Sequence, residues 1–522
     1  MKELKFEELS LKQKLGMTLT AFMNADDRSP EEDAFVIDLI KNHSLGAVWI
    51  QWNFAGAEEL LEMVKDAADY PILILTDAGN GIGQYQVGKN NAIGTTGKAE
   101  YAYAFGKTVG VTARKMGYNI ITNPVLDMRP GSQASLGQDK YKVAELAEAI
   151  ARGVHDAGVL TMAKHYPGAI DMSGVDSHMG ESISYATEEE LLDYNLYPYL
   201  HLMERDLLDG FMTSHRKLPN IDHEYPASLS KKANDIIRRQ GFNGVAITDA
   251  LGMMGIRAKY NEVESTGLAI AAGHEFVLPF TACNSKNYED ICTAYEQGFF
   301  TEERLDEAVK RILEAQHKAF TFPKDAELTE EELANFNAID KSGVYAKTDE
   351  GFLPNISRNG NHYFVIMARC DMGVEAEGRV AVDTFSGGWY FPFEIEKRIK
   401  ELFPNSKVTF INEFPTQRQN CRILEESLGC DEVVFITFCE MIAYLGPEHL
   451  TRRFVSLIKS MQLTDRVTTL VHFGNPFVLE ELPHIPRVLI GGNSKNSTNA
   501  CIDVLAGELE PMGVPTYNFK LQ

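Results

Sequence analysis

The sequence lacks a hydrophobic run long enough to cross a membrane, and it has fewer basic than acidic residues. No segment reaches the ~20 consecutive apolar residues of a spanning helix. The N-terminal stretch alternates charged with apolar residues, so we expect no secretory signal. Lys plus Arg number 50 against 74 Asp plus Glu, a net charge of −24. Because so acidic a surface repels nucleic-acid phosphates and anionic lipids, we expect neither nucleic acid nor membrane as partner.

Paired cysteines and metal-binding motifs are also missing. The seven cysteines form no CxxC pair and are odd in number. This pattern is typical of reduced, mostly buried cysteines in a cytoplasmic protein. No HExxH occurs, and no GxGxxG or Walker spacing follows an apolar run. We therefore expect neither a metal ion nor another cofactor.

Short apolar runs alternate with amphipathic segments through the first 320 or so of the 522 residues. The apolar runs lie at 46–50, 71–77, 118–127, 158–164, 210–215, 244–249 and 275–279. Helix-like segments lie at 7–24, with Ser10 as its cap, and at 57–68, 100–116, 143–157, 187–207 and 231–240. Buried strands separated by helices predict a parallel sheet with right-handed crossovers. Seven or eight such units predict a (β/α)8 TIM-type barrel.

A charged stretch with one helix, at 329–341, interrupts this alternation. Beyond it, strands are predicted at 362–367, 407–411, 432–439, 467–472 and 488–490, which suits an open α/β/α sandwich. The predicted domains are a barrel at 1–322, a linker at 323–357 and the sandwich at 358–522.

Several barrel runs end in polar or ionisable residues. These residues are Asp77, Asp127, Lys164 with His165, His215 and Asp249. Each alone is better explained by a residue that caps a loop or turn, and His215 by a hydrogen-bonded rim histidine. Because the carboxyl ends of barrel strands meet on one face, together they predict a polar pocket there.

Cleavage of a glycosidic bond needs an attacking carboxylate and a proton donor. Two acidic positions in the sequence are candidates for these roles. Asp249 follows a buried strand and precedes a tight turn, so it is a candidate nucleophile, although a helix-capping aspartate is an equal alternative. Asp176 and His178 lie two residues apart in a loop. Their side chains would project to the same side, where the carboxylate could orient the imidazole.

The blocks KHYPG, VDSH, MTSH, PASLSKK and GFNGVAITDALGM, in this order, resemble glycoside hydrolase family 3 and its β-N-acetylglucosaminidase branch. The resemblance extends through GNPFVLEELP at 474–483, which resembles the second domain of two-domain members. It implies a TIM-type barrel followed by an α/β sandwich.

The resemblance also implies a role for each matching residue. Asp249 would be the nucleophile, and His178 the general acid and base, oriented by Asp176. Lys164, His165 and Asp77 would hydrogen-bond the sugar. Two further residues are predicted to bind the substrate: His215, on the same rim, and Met253, in the pocket wall.

The sequence departs from the family where arginines would help to grip the sugar. DAGNGIGQY stands where the family has DQEGGRVQR, so both arginines are absent and Tyr85 stands at the second of those positions. ASLG stands where the family has RSFG, so Ala134 replaces another. Arg129 or Lys140 could reach in instead. These departures leave the bound sugar open.

We therefore predict a cytoplasmic, retaining exo-β-glycosidase, monomeric or homodimeric, with a small carbohydrate substrate. Terminal β-N-acetylglucosamine from cell-wall or chitin fragments is the favoured substrate. A β-glucosidase, a β-xylosidase or a non-catalytic sugar-binding relative is the alternative. Phosphate could replace water as acceptor, since a histidine acid does not repel an anion.

Overall fold

Parallel strands and helices alternate through the first half of the chain in the computed structural model. It describes residues 1–24, 28–129, 132, 134–168, 177–368, 392–439, 449–492 and 494–520. Two units emerge. The first consists of Met1–Gln86, Ala102–Met128 and Lys140–Phe336, and the second of Val87–Tyr101, Arg129–Asp139 and Asn337–Gln522. The boundaries at residues 322 and 358, which assume consecutive domains, stay a prediction.

The first unit is built on a closed parallel barrel. Its strands, neighbours in chain order, are Thr20–Phe22, Ala47–Trp49, Leu73–Thr76, Ile120–Ile121, Leu160–Tyr166, Gly210–Thr213 and Val245–Thr248. Parallel bridges from Ile247 to Phe276 and from Leu19 to Val277 join the last strand to the first through the segment at 275–278. This segment takes the place of the eighth strand and closes the sheet. The predicted TIM-type barrel is confirmed.

Helices follow the strands around this barrel. The helices of the first unit lie at Leu11–Met17, Pro30–Lys41, Ala57–Ala67, Ala99–Met116, Lys140–Asp156, Glu188–Glu190, Tyr197–Met203, Lys231–Arg239, Met254–Arg257, Glu262–Ala271, Asn284–Glu296, Glu302–Thr321 and Glu330–Ser342, the helices at 99–116 and 330–342 continuing into or from the second unit. A π-helical turn at Leu191–Asn195 and Pro198 interrupt the single helix predicted at 187–207, because proline has no N–H to donate.

The helix predicted at 7–24 is only partly correct. Ser10 caps it as predicted, and its hydroxyl accepts a hydrogen bond from the Gln13 N–H. The helix ends at Met17, however, and Thr20–Phe22 is the first barrel strand. Every residue from Lys14 to Asn24 is buried. A stretch buried on all sides suits a central strand as well as a helix, so apolar spacing alone could not separate them.

A six-stranded sheet organises the second unit. Its strands, in spatial order, are Tyr345–Thr348, Arg487–Gly491, Val467–Gly474, Glu432–Cys439, His362–Ala368 and Lys407–Asn412, of which only the first is antiparallel to its neighbour. The unit's helices lie at Asn90–Thr96, Pro392–Leu402, Gln417–Ser427, Arg452–Gln462 and Lys495–Leu505. All five strands predicted beyond residue 358 occur in this sheet. The three-layer sandwich stays a prediction.

The prediction that the cysteines are mostly buried is wrong. Among the described residues, Cys439 and Cys501 are buried, Cys283 and Cys421 are exposed, and the other two are intermediate. None of the six forms a disulfide. No described helix has the length and apolar character needed to cross a membrane.

Candidate active site

The polar strand ends predicted from the sequence pair with one another at the carboxyl face of the barrel. The Lys164 ammonium donates to Asp77 Oδ2 at 2.7 Å. His165 Nδ1 lies 2.7 Å from Asp127 Oδ2. Each pair joins the ends of different strands, so the predicted convergence on one rim is present.

Asp77 is held as a carboxylate by several donors. Besides Lys164, the Thr122 hydroxyl donates to Oδ1 at 2.8 Å and the Gly79 N–H at 3.0 Å. Burial raises the pKa of Asp77, but the Lys164 ammonium and these hydrogen bonds outweigh it and lower the pKa to about 2. The pair therefore stays ionised at neutral pH and can offer both charges to a hydroxyl-rich ligand.

Replacing Lys164 with methionine is expected to destabilise the fold in a pH-dependent way. Lys164 is only 7% exposed, and its loss would leave Asp77 without its cation. We expect a loss of about 1 to 3 kcal/mol in the free energy of unfolding at pH 7, discounted because Asp77 is partly exposed. Since the folded pKa of Asp77 is lowered to about 2, this stabilisation is present above the unfolded pKa of ~3.9 and is lost as the pH falls through the folded value.

Urea unfolding at pH 7 and at lower pH measures this difference. Lys231→Met, which removes a solvent-exposed pair with Asp235, is the matched control and should change the unfolding free energy little. A deficit for Lys164→Met that is equally large at every pH would contradict the assignment.

His165 is oriented by Asp127. Because a carboxylate only accepts, Nδ1 carries the proton, and Nε2 has no partner among the described residues. Burial raises the pKa of Asp127, but His165 and the charge of Arg216 outweigh it and lower the pKa. The imidazole edge is thus fixed in orientation and available to a ligand.

Arg216 was not singled out from the sequence. It is 6% exposed and lies near enough to Asp127 to lower the pKa of that carboxyl. Its position, three residues after strand Gly210–Thr213, could have identified it as a rim residue. Lys140, by contrast, pairs with Asp193 at 2.9 Å. Arg129 and Ala134 belong to the second unit.

Asp249 follows strand Val245–Thr248 and is fixed by the backbone around it. Its N–H donates to the Thr213 carbonyl at 2.9 Å, and its Oδ1 accepts from the Ala250 N–H at 2.8 Å. Burial raises the pKa of Asp249, but three surrounding imidazoles and the Ala250 N–H outweigh it and lower the pKa. The imidazoles belong to His165, His215 and His178. Asp249 is therefore a partly buried, ionised carboxylate surrounded by histidines, as a nucleophile requires.

His215 is held within the protein at both ring nitrogens. Nε2 lies 2.8 Å from the Ala250 carbonyl and therefore carries the proton, and Nδ1 lies 2.8 Å from the Ser228 hydroxyl. Burial lowers the pKa of His215 although Asp249 opposes this, so the ring is neutral at neutral pH. The geometry is that of a hydrogen-bonded rim histidine, and its contact with a sugar stays a prediction.

The loop that carries His178 contacts the segment after Asp249. The His178 carbonyl accepts from the Met254 N–H at 3.3 Å, and His178 affects the pKa of Asp249. Met253 is 3% exposed and immediately precedes helix Met254–Arg257. Asp176 lies outside the described residues, so its pairing with His178 stays a prediction.

Tyr85 does not take over the charge of the arginine that it replaces. It lies in the short strand Tyr85–Gln86, and its ring packs edge-on against Phe336 at 5.6 Å between centroids. Across the part of the chain that the structure describes, no group of three His, Cys, Asp or Glu side chains could hold a metal ion.

The geometry offers an ionised carboxylate, an imidazole in the loop beside it, and two oriented polar pairs. A carboxylate can attack an electrophilic carbon, an imidazole can give or take a proton, and the pairs can hold hydroxyls. This is equipment for acid–base and nucleophilic chemistry on a polar, neutral ligand.

Comparison with known proteins supports this interpretation. The family model described as "Glycosyl hydrolase family 3 N terminal domain" matches residues 10–315, more than half of the chain. A β-N-acetylglucosaminidase/β-glucosidase of Cellulomonas fimi is 26% identical over 285 residues, which is 50% of this chain and 50% of that protein. The chain thus matches about half the length of this relative.

Two solved structures share the fold over 98% of this chain. One is a glycoside hydrolase family 3 β-N-acetylglucosaminidase from Paenibacillus sp. FPU-7, with a TM-score of 0.79, 23% identity and all of that chain covered. The other, β-glucoside phosphorylase BglX bound to 2FGlc, has a TM-score of 0.77, 21% identity and 95% of that chain covered. At these identities the likeness concerns the fold alone.

Proposed function

The chain belongs to glycoside hydrolase family 3, and from this premise we propose that it is a retaining exo-β-glycosidase acting on terminal β-N-acetylglucosamine. The observation that carries the proposal is the partly buried Asp249 carboxylate at the end of strand Val245–Thr248, whose pKa is lowered in the presence of His165, His215 and His178. A low pKa keeps the nucleophile ionised, and the adjacent imidazole of His178 can serve as the proton donor.

In the first step, Asp249 attacks the anomeric carbon and forms a covalent glycosyl ester. The bond from that carbon to the leaving oxygen breaks, and the His178 imidazolium gives its proton to this oxygen. Lys164 with Asp77 and His165 with Asp127 hold the sugar's hydroxyls, so the ring enters with its anomeric carbon toward Asp249.

In the second step, water attacks the same carbon from the side that the leaving group vacated. Neutral His178 takes a proton from this water, the ester bond to Asp249 breaks, and the carboxylate is restored. Two displacements at one carbon return the product with the β configuration of the substrate.

The identity of the sugar is a more specific claim than the type of reaction. It is supported by the VDSH motif and by the activities for which the relatives are named, one of them for both β-N-acetylglucosaminidase and β-glucosidase. A panel of 4-nitrophenyl β-glycosides tests it. We expect the highest kcat/KM for the N-acetylglucosaminide. A preference for the glucoside or the xyloside would instead indicate a β-glucosidase or a β-xylosidase. The presence of Tyr85 in place of an arginine favours this second candidate.

Phosphate is an alternative acceptor in the second step, and the named activity of BglX favours testing it. Product formation with and without inorganic phosphate distinguishes the two acceptors. A hydrolase releases free sugar at the same rate in both, whereas a phosphorylase releases the sugar phosphate. Sugar binding without product from any member of the panel would instead indicate a non-catalytic relative.

The pH dependence of the first step should reflect the lowered pKa of Asp249. The reactive form is the carboxylate, and a lowered pKa extends this form to lower pH than an ordinary aspartate. We expect the acidic limb of kcat/KM for a 2,4-dinitrophenyl glycoside, whose departure needs no proton, to have its midpoint below pH ~3.9 while the protein remains folded. An acidic limb that begins above pH ~5 would contradict an ionised nucleophile with a lowered pKa.

A further inference from the structure

Two backbone N–H groups next to the nucleophile hold the loop that carries His178. Met254 and Gly255 begin helix Met254–Arg257, directly after the turn that follows Asp249. The Met254 N–H donates to the His178 carbonyl at 3.3 Å, and the Gly255 N–H donates to the Ser177 carbonyl at 3.0 Å. Because first-turn N–H groups have no partner within a helix, the loop satisfies donors that would otherwise be unpaired.

Gly255 leaves little space for a side chain at this contact. A Cβ there would lie 3.0 Å from the Ser177 carbonyl oxygen and 3.0 Å from the Gly180 carbonyl oxygen, and 3.7 Å from the His215 Cβ. Both close contacts are with the loop's backbone, so an added methyl group would push the loop away. The glycine thus permits the close approach of the His178 loop to the Asp249 segment.

A second contact holds the other end of the same loop. Lys217 Nζ lies 2.8 Å from Glu181 Oε1, and the Lys217 N–H donates to the Ser182 carbonyl at 2.8 Å. The Ser184 N–H donates in turn to the Lys217 carbonyl at 2.9 Å. The loop is therefore held between the segment after Asp249 and the segment after His215.

We propose that Gly255 is a positioning residue that sets the place of the His178 imidazole relative to Asp249, with the Lys217–Glu181 pair as a second support. This inference rests on the proposed function, in which His178 exchanges the proton. Gly255 touches no reacting atom and acts only through the loop backbone.

The test compares two N-acetyl-β-D-glucosaminides that differ in their need for an acid. Methanol is a poor leaving group and needs a proton, whereas 2,4-dinitrophenolate leaves without one. For Gly255→Ala we expect kcat/KM to fall about tenfold on the methyl glycoside, because the 3.0 Å contacts require the loop to shift by less than the ~1 Å that costs about 10²-fold. On the 2,4-dinitrophenyl glycoside it should fall less than about threefold, because Asp249 is undisturbed. An equal fall on both substrates, or none on the methyl glycoside, would overturn the proposal.

Gly343→Ala is the matched control. A Cβ at Gly343 would also lie 3.0 Å from a backbone oxygen, that of Ala92, and both residues belong to the second unit. It should impose a similar crowding without changing the ratio of the two kcat/KM values. Lys217→Met covers the case in which Gly255→Ala does not fold. It should lower kcat/KM on the methyl glycoside about two- to fivefold, with Lys231→Met as its control.

Hydrogen exchange provides a readout that needs no turnover. Peptides that cover residues 177–184 and 253–258 should exchange faster in Gly255→Ala than in the wild type, and at the wild-type rate in Gly343→Ala. Unchanged exchange in Gly255→Ala would overturn the proposed role of Gly255 in holding the His178 loop, even if the enzyme is active. A wild type that cleaves neither substrate would instead contradict the proposed function, so the two failures are distinguishable.

Discussion

Asp249→Asn should lose the release of 2,4-dinitrophenolate from an N-acetyl-β-D-glucosaminide almost completely, with kcat lower by about 10⁴-fold or more. The amide is nearly isosteric, so it can keep the hydrogen bond from the Ala250 N–H to Oδ1, yet it cannot form the glycosyl ester. The substitution removes the charge and leaves the shape, and the loss therefore reports the nucleophile rather than the packing.

Asp209→Asn is the matched control for this substitution. Asp209 is a buried carboxylate that pairs with His155 at 2.7 Å, but it precedes strand Gly210–Thr213, at the opposite end from the rim. It should lower the stability and leave kcat per folded molecule near the wild-type value. Asp249→Ala adds a further check, because azide can fill the space of the missing carboxylate. Recovery of the α-glycosyl azide would identify the missing group as the nucleophile.

His178→Ala has the second largest expected effect, and this effect depends on the leaving group. General acid catalysis is typically worth 10² to 10⁴ in rate, so kcat/KM on the methyl glycoside should fall within that range. On the 2,4-dinitrophenyl glycoside it should stay within a few fold of the wild type. Since the second step also needs the imidazole, as a base, kcat on the activated substrate should fall and be restored by azide, which needs no deprotonation.

His201→Ala controls for the loss of a histidine in the same unit. His201 lies in helix Tyr197–Met203, where it pairs with Glu148 at 2.6 Å. It should not change the ratio of the two kcat/KM values. If His178→Ala lowered both substrates equally, His178 would be a structural residue, and another group would have to supply the proton.

The parts of this architecture that depend on the pattern of apolar and polar residues along the chain could be predicted from the sequence. Apolar runs such as 158–164 and 244–249 are strands because both their faces are buried, and their final residues meet on one rim because parallel strands share a direction. The presence of Lys164 and Asp77 on the same rim follows from this convergence. The partners of each pair could not be identified from the sequence, since a contact across 87 residues leaves no local signal.

The misinterpreted elements have identifiable physical causes. The first barrel strand, Thr20–Phe22, was assigned to a helix because its neighbours are apolar at helical intervals and all buried. Arg216 was overlooked because an arginine after a strand is usually solvated, whereas here it is 6% exposed beside Asp127. Gly255 appeared as one glycine in a loop, and only the carbonyls 3.0 Å from its missing Cβ give it a role.

Trapping the glycosyl-enzyme is the most direct test of the central claim that Asp249 is the nucleophile of a retaining glycosidase. The wild type would be treated with 5-fluoro-β-N-acetylglucosaminyl fluoride, whose ring fluorine slows the second step, and then digested and sequenced by mass spectrometry. We predict one added sugar, attached to Asp249 and absent from Asp249→Asn. A sugar attached to any other residue, or turnover to a product of inverted configuration with no adduct, would contradict the account.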